Sequence, residues 1–530
     1  MRNTMIKKLL LNQGKYETIE GIPPLTLEKS LGKDLRDYKV YGNSFQDGTP
    51  TPDTPVEVES VGEKTKNLFD IGTINDYIYY GSSYIKIEDN SLSLQHLSSS
   101  INYCYKKDIH YPSGSYAYSY DTVSGAEIQV LIRCYDNNGN TLTNSEVSIK
   151  GGEYVDYYKG WIKTWDLNKI VVPDNVAYWI IGFRTKGTVD VWNTITNIQV
   201  EYGDTATPYE PYGKYKIPVV SQGKNLFNLE PMLLSSNWRT DSSLSVGGYW
   251  NYPITGLLPN TEYTLSMKEN GWSGTTNNGL YVALRNNVGI FVEEGGLCHN
   301  NGAWYYCKSK VTITSNENGV LYLSFYNPTD ERLALFFSKC PDIILELGNT
   351  ATDFEPYAEP IETNIYLDEP LRKIGEYADY VDFENGVVVR SVKESIFNGT
   401  ENWKKNQYGT NSYHLTDDTL FATAIIENMK LVDCTHFKGI AYADRVTAGN
   451  NIVFIDYVYR SITIRNTEYA DITSFIDFLK SNEVKANAVL STPTETQIEL
   501  PKLPTLKGTT VLDTKTNLAL SNMSVVYKRR

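Results

Sequence analysis

A passage that occurs twice constrains this chain of 530 residues more than any other sequence feature. The passage EYGDTATPYEPYG, at 201–213, returns as ELGNTATDFEPYA at 346–358, which is 145 positions later (346 − 201). Two more pairs occur in the same order: TKNLFD with GKNLFN, and LIRCYDNNGN with YVALRNNVGI. A fixed order of repeated motifs predicts two copies of one structural unit. We place these copies at 64–213 and 222–358, each the size of a domain rather than of a solenoid repeat.

The residues within each copy predict β-strands. Runs rich in Val, Ile, Tyr and Phe are bounded by Gly, Asn, Asp and Pro, as in GAEIQVLIRCYDNNGN, VAYWIIGFRTKGTVDVWNTITNIQVEYG and NGVLYLSFYNPTDERLALFF. We therefore predict an all-β chain: tandem jelly-roll β-sandwiches flanked by a further β-rich domain with one short helix. Four apolar residues at helical spacing predict that helix: Ile472, Phe475, Ile476 and Leu479.

The predicted domains follow from the repeat boundaries. They are an N-terminal lead-in at 1–63, two jelly-roll modules at 64–213 and 214–358, and a C-terminal β-rich domain at 359–530. Short strands are predicted next to the repeats, at 54–62, 214–220 and 363–371. We expect the jelly rolls to be insertions, and we expect the N-terminal segment to pack against the region after residue 359.

Composition excludes several classes of protein. The formal charge is −14, and the only compact basic pieces, at 7–8 and 528–530, are expected to be solvated, so we expect no nucleic-acid partner. The sequence contains no run of about 18 apolar residues, which a membrane-spanning helix requires. The apolar run in the opening MRNTMIKKLLLNQGK is shorter than the core of a signal peptide. We expect synthesis in the cytoplasm. The six cysteines show no CxxC pair and are expected to be core thiols.

Several motifs resemble a known group of proteins. KNLF, GLLPNTEYTLS, YDNNGN and IQVEYGDTATPYEPYG resemble the carbohydrate-binding-module-like jelly rolls in tail, baseplate and other minor structural proteins of phages and prophages of Gram-positive bacteria. The flanks YGNSFQDGTPTPDTPVEVESVG, NIYLDEPLRKIGEYADYVDFENGVVVR and VLSTPTETQIELPKL are similar to the flanks of the same proteins. The resemblance covers most of the chain beyond residue 40. It implies a receptor-binding-type virion protein that acts as a homotrimer beside other tail or baseplate proteins.

The resemblance also implies a partner, which is host cell-wall or capsular polysaccharide. Sugar-binding jelly rolls stack aromatic rings on pyranose faces, on a concave sheet or on loop tips, with polar side chains nearby. The first module offers YVDYYKGWIKTWDLN, and the second offers NWRTDSSLSVGGYWNY and NGWSGTTNNG. The candidate ligand-binding residues from these stretches are Tyr157, Trp161, Trp165, Trp238, Arg239, Trp250 and Trp272.

Other chemistry finds less support in the sequence. The stretch DNNGN places oxygen ligands at alternate positions, like the start of a calcium loop. Gly139 is at the fourth position rather than the sixth, and Val147 occupies the twelfth, where such a loop has Glu, so we predict a hairpin turn. We expect no cofactor, although the resemblance allows a structural calcium ion. The histidines lie far apart, and no GxSxG motif occurs, so we expect no enzyme. A polysaccharide depolymerase using two carboxylates stays open, as does a purely architectural spacer or assembly protein of the tail, baseplate or head.

The repeated passage itself is predicted to be structural. The threonines at 205, 207, 350 and 352 can bond to local backbone, and the prolines at 208, 211 and 356 prevent the continuation of a central strand. We therefore expect the passage to end each sandwich and to direct the exit of the chain.

Overall fold

Among the residues that the structure describes, 48% are in strands and 10% in helices, so the chain is all-β, as predicted. The computed structural model describes residues 39–80, 83–96, 103–106, 109–123, 128–142, 152–155, 161–164, 169–185, 190–235, 237–257, 259–268, 280–288, 296–300, 305–307, 309–340, 342–406, 411–421, 426–503, 509–514 and 524–528. Two compact units are present. The smaller comprises the described parts of 64–216 with 366–369, and the larger comprises those of 1–63, 217–365 and 370–530.

Four short strands precede the repeats: β1 (Lys39–Tyr41), β2 (Ser44–Phe45), β3 (Glu59–Ser60) and β4 (Glu63–Lys64). The strands of the first module are β5 (Tyr77–Tyr80), β6 (Ser83–Glu88), β7 (Ser91–His96), β8 (Tyr103–Lys106), β9 (Gly114–Thr122), β10 (Ile128–Tyr135), β11 (Thr141–Leu142), β12 (Gly152–Val155), β13 (Trp161–Thr164), β14 (Lys169–Val172), β15 (Tyr178–Thr185) and β16 (Trp192–Tyr202). They form a larger sheet, β12-β13-β10-β15-β8-β5 with β11 beside β10, and a smaller sheet, β14-β9-β16-β7-β6.

The strand pairing of the first module is that of a jelly roll. Counting inward from β7 and β16, β7 pairs with β16, β8 with β15, β9 with β14, and β10 with β13, all antiparallel. Successive pairs alternate between the two sheets. This nesting is the double-sheet arrangement of the jelly roll. Apolar side chains from both sheets meet in one core that includes Leu92, Tyr116, Ile132, Trp179 and Phe183.

After β17 (Tyr215–Gly223), the second module contains α1 (Leu229–Leu234), α2 (Asn237–Thr240), β18 (Ser245–Val246), β19 (Tyr249–Ile254), β20 (Glu262–Met267), β21 (Tyr281–Arg285), β22 (Gly296–Asn300), β23 (Tyr305–Cys307), β24 (Lys310–Thr314), β25 (Leu321–Tyr326), α3 (Asp330–Lys339) and β26 (Ile343–Leu347). Its strands nest in the same way, with β19 on β25, β20 on β24, and β21 on β22. These correspond to three of the four nested pairs of the first module, and β26, the counterpart of β16, pairs with β20 as β16 pairs with β9.

Helix α3 corrects one detail of the sequence analysis. The sequence predicts strands and turns throughout NGVLYLSFYNPTDERLALFF, but only residues 321–326 form a strand, and residues 330–339 are helical. The Thr329 side chain accepts a hydrogen bond from the backbone N–H of Arg332, and Asp330 and Glu331 occupy the first turn. Both features stabilise a helix N-terminus. They lie next to a strongly apolar strand, which masked them in the sequence pattern.

The chain after the second module contains β27 (Ile361–Leu367), β28 (Lys373–Ile374), β29 (Tyr377–Ala378), β30 (Tyr380–Asp382), β31 (Val387–Phe397), β32 (Lys404–Lys405), β33 (Ser412–Thr416), β34 (Val432–Cys434), β35 (Lys438–Gly439), β36 (Ile452–Asp456), β37 (Ser461–Arg465), α4 (Ile472–Ser481), β38 (Val484–Gln497), β39 (Thr509–Thr514) and β40 (Ser524–Lys528). Helix α4 confirms the predicted helix. Its Phe475 ring stacks on Tyr413 at 4.3 Å between centroids, so the helix packs on strand β33.

The N-terminal segment is part of the same unit as the C-terminal region. Strand β1 pairs with β30, and the Gln46 side-chain amide donates to the Cys434 carbonyl at 2.9 Å. The Val56 N–H donates to the Thr435 carbonyl at 2.8 Å, and Val61 bridges to Leu371. The expected contact between residues 41–62 and the region after residue 359 is therefore present.

Candidate functional site

The repeated KNLF motif positions a buried asparagine at the start of each sandwich. The Asn225 side chain accepts hydrogen bonds from the N–H groups of Phe227 and Leu345, at 3.0 and 3.1 Å, and donates to the Ile343 carbonyl at 3.1 Å. In the first module Asn67 makes the matching bonds to Phe69, Val200 and Ile198, at 2.9, 3.1 and 3.0 Å. The asparagine therefore ties the first residues of each module to its last strand.

The repeated passage at the end of each module forms a second, related structure. The Glu201 carboxylate accepts from the Thr207 N–H and hydroxyl, both at 2.7 Å. Glu346 accepts from the same two groups of Thr352. We call this pair of turns the glutamate turns. They confirm the predicted structural role of the passage. The hydroxyls of Thr207 and Thr352 bond to a carboxylate, whereas the sequence predicted bonds to backbone.

Trp238 does not lie on a binding surface. Its side chain is only 4% exposed and belongs to the core of the second module, where its indole Nε1 donates to the Met232 carbonyl at 3.2 Å. The short helix α2 carries it into that position, although the Gly- and Ser-rich sequence around it had indicated a loop. The expectation that Trp238 stacks on a ligand is therefore corrected, because its ring has no open face.

Arg239 and Trp250 pack beside Trp238. The Arg239 guanidinium carbon lies 5.3 Å from the Trp238 ring centroid and 5.8 Å from that of Trp250, within the range of a cation–π contact. Arg239 also forms an ion pair with Asp330 at the start of α3. Trp250 is half-buried against the core. These two residues join a helix and a sheet, and both keep partial access to solvent, whereas Trp238 is buried.

The remaining predicted residues are less fully described. Tyr157, Trp165 and Trp272 lie outside the described residues. Trp161 opens strand β13, where its backbone pairs with Val155, and its side chain is outside the description.

A cluster of aromatic side chains covers the outer face of the larger sheet in the first module. We call it the first tyrosine face; its members are Tyr103, Tyr105, Arg133, Tyr135 and Tyr178. The rings of Tyr135 and Tyr178 stack at 4.7 Å with an angle of 14°, and the Arg133 guanidinium carbon lies 6.0 Å from the Tyr105 centroid. Alternate residues of the same strands, such as Ile132 and Trp179, point into the core.

Gln129 lies on the same sheet face, at alternate spacing from Arg133 along strand β10. Among the described residues nothing donates a hydrogen bond to Gln129 Oε1, although the atom is buried. Gln129 lies opposite Arg184 on strand β15. A buried amide oxygen left unpaired costs about 1–3 kcal/mol. A water molecule or a hydroxyl group of a ligand can remove that cost.

The second module carries a corresponding cluster on the corresponding sheet. We call it the second tyrosine face; its members are Tyr249, Tyr281, Arg285 and Tyr326. The Tyr249 and Tyr326 ring centroids are 4.8 Å apart, and the Arg285 guanidinium carbon lies 4.7 Å from the Tyr249 centroid. Burial raises the pKa of Tyr249, and Arg285 opposes that rise. Tyr326 is the accessible member, with 44% of its surface exposed.

Sequence reasoning missed both tyrosine faces for an identifiable reason. Dense aromatic stretches indicated candidate sites in the sequence, whereas each face combines tyrosines from several strands that lie far apart in the chain. The register places Tyr249 and Tyr281 opposite Tyr326 from its two sides. The available signal was the large excess of tyrosine, 41 against 16 phenylalanines, combined with strict alternation in the strands.

Other candidate chemistry has a structural role in the described residues. The Asp136 carboxylate accepts from the N–H groups of Asn138 and Asn140, at 2.9 and 2.7 Å, and this confirms the predicted hairpin turn. Cys104, Cys134, Cys340 and Cys434 are buried free thiols. Burial raises the pKa of Cys434 to about 11 and that of Cys134 to about 12, which keeps both thiols protonated and unreactive.

No protein-family model matches the chain, and no curated protein matches it. Among the described helices, none has the length and hydropathy that a membrane span requires.

Proposed function

We propose that this chain is a non-enzymatic virion component of a phage or prophage and that its jelly rolls bind a host cell-surface glycan. The observation that carries the glycan part is the pair of tyrosine faces, which occupy the same sheet in both modules. The virion part rests on the resemblance of the repeats and their flanks to phage tail and baseplate proteins.

The accessible tyrosines of the two faces can contact a sugar ligand. They are Tyr326, which is 44% exposed, and the half-buried Tyr105, Tyr135 and Tyr178, whereas the other tyrosines of the faces are buried. Tyrosine combines a flat apolar ring, which can cover the C–H face of a pyranose, with a hydroxyl group that hydrogen-bonds at its edge. The guanidinium groups of Arg133 and Arg285 lie against the tyrosine rings and hold them in place, and Gln129 Oε1 is an acceptor to which no described residue donates. A site of this kind can bind a polyhydroxylated ring that carries no charge.

Single sites of this kind bind weakly, because each hydroxyl exchanges a hydrogen bond with water for one with protein at a small net gain. Two modules on one chain, multiplied by assembly, raise avidity by roughly 10²–10⁴ if the sites reach one surface together. We therefore propose a homotrimer attached to other tail or baseplate proteins, with cell-wall or capsular polysaccharide as its target.

A glycan array tests the proposal. The full-length protein is applied to purified cell-wall and capsular polysaccharides, alongside Tyr326→Ala and a control, Tyr459→Ala. Tyr459 is 59% exposed but lies in the C-terminal region, away from both tyrosine faces in sequence. We expect the wild type and the control to bind the same polysaccharides and Tyr326→Ala to bind them less. Equal binding by all three proteins, or binding by none, would contradict the proposal.

A further inference from the structure

The larger unit contains a polar pocket that neither jelly roll contributes to. It has a volume of about 280 Å³ and lies between the N-terminal segment and the C-terminal region. The side chains that define its chemistry are Phe45, Gln46, Thr49, Lys430, Asp433 and Lys438. Its volume is at the lower end of the range for ligand pockets, so it suits a ligand the size of one sugar ring.

The walls of the pocket are held in place by contacts across the two segments. The Gln46 amide donates to the carbonyls of Val56 and Cys434, at 3.0 and 2.9 Å. Gly439 approaches the backbone so closely that an added Cβ would lie 2.1 Å from the Val432 carbonyl oxygen. The pocket is therefore a built feature of the domain, and its shape depends on glycine at position 439.

One face of the pocket is aromatic and exposed. Phe45, on strand β2, has 51% of its surface accessible although it is a large apolar side chain. An accessible ring beside polar side chains is the combination that holds a sugar by its C–H face and its hydroxyl groups.

The charges of the pocket leave one cation uncompensated. Lys430 Nζ lies 2.7 Å from Asp433 Oδ1, so these two charges offset each other. Lys438 is exposed and forms no ion pair with any residue that the structure describes. The whole chain carries a charge of −14, so a locally positive pocket stands out from its surroundings. A free lysine favours an anionic group on the ligand.

We propose that this pocket binds a single sugar residue that carries an oxyanion, either a carboxylate or a phosphate. Phe45 covers the ring, Lys438 binds the anion, and the Lys430–Asp433 pair hydrogen-bonds hydroxyl groups. This proposal takes a glycan ligand from the proposed function, but it assigns a separate site with a different preference.

Isothermal titration of the full-length protein tests the pocket with four probes: glucuronate, glucose 1-phosphate, glucose and inorganic phosphate. We expect one site per chain for glucuronate, for glucose 1-phosphate or for both, with at least tenfold weaker binding of glucose and of inorganic phosphate. The preference between the two anionic sugars identifies the oxyanion. Equal binding of inorganic phosphate and the sugars would overturn the sugar assignment, and absence of saturable binding by both anionic sugars would overturn the site.

Two variants and a control locate the binding. Lys438→Gln and Phe45→Ala should each weaken binding of the anionic sugar at least tenfold, with an unchanged unfolding temperature for Lys438→Gln. Lys480→Gln changes an exposed lysine of helix α4 that does not line the pocket, and it should bind like the wild type. Equal affinity of Lys438→Gln and the wild type would overturn the assignment. Tyr326→Ala should leave binding at the pocket unchanged. Loss of binding at the pocket can therefore be distinguished from loss of binding at the tyrosine faces.

Discussion

Replacement of Asn225 by alanine should strongly destabilise the second module. The Asn225 side chain makes four hydrogen bonds to backbone groups: two accepted, from Phe227 and Leu345, and two donated, to Ile343 and Glu355 at 3.1 and 3.0 Å. The residue is buried, so alanine leaves these groups without partners. Each such group costs about 1–3 kcal/mol, and partial relaxation reduces the sum, so we expect a loss of about 4 kcal/mol.

Urea denaturation followed by tryptophan fluorescence measures this loss, because Trp238 and Trp250 lie in the second module. The matched control is Asn228→Ala, three residues further on. Asn228 caps helix α1 through one bond to the Glu230 N–H, at 3.2 Å, so its loss should cost about 1 kcal/mol. If Asn225→Ala costs no more than Asn228→Ala, the asparagine does not hold the ends of the module together and our reasoning is wrong.

Three further outcomes are expected. Burial lowers the pKa of His436 below its usual 6.5, so as the pH falls the unfolded chain takes up a proton at this residue before the folded chain does. The free energy of unfolding should therefore fall between pH 7 and 5 in thermal melts, and His436→Gln should make it depend less on pH. Trp238→Ala should cost about 3–5 kcal/mol in urea denaturation because it empties a core position, whereas a loss below 1 kcal/mol would place the indole outside the core. Light scattering at micromolar concentration should give three times the chain mass of 60.0 kDa, and a clean monomer would count against self-assembly.

The sequence predicted the fold class well because its signals are local and repeated. Alternating apolar residues, turn residues and the order of the paired motifs all indicate the same sandwich, and the nested strand pairing agrees with them. Helix α4 was predictable for the same reason, since Phe475 and Leu479 are both buried on one face of a regular helical spacing.

The candidate site was harder to predict because it depends on contacts between distant residues. Asn225 bonds to Leu345, 120 positions away, and no local pattern indicates such a bond. Trp238 was misassigned because a helix of four residues is too short to produce a periodic signal. The tyrosine faces required the register of the strands, which places Tyr249 and Tyr281 next to Tyr326.

The most direct test of the account counts the glycan sites on each chain. A polysaccharide fragment that binds on the array is titrated calorimetrically into the wild type, Tyr178→Ala, Tyr326→Ala and the double variant. The fragment is an uncharged one, which the pocket with Lys438 does not favour, so only the tyrosine faces are counted. Because each single variant alters one tyrosine face, we predict two such sites per chain in the wild type, one in each single variant and none in the double variant. An unchanged number of sites and unchanged affinity in the double variant would show that the tyrosine faces do not bind glycan.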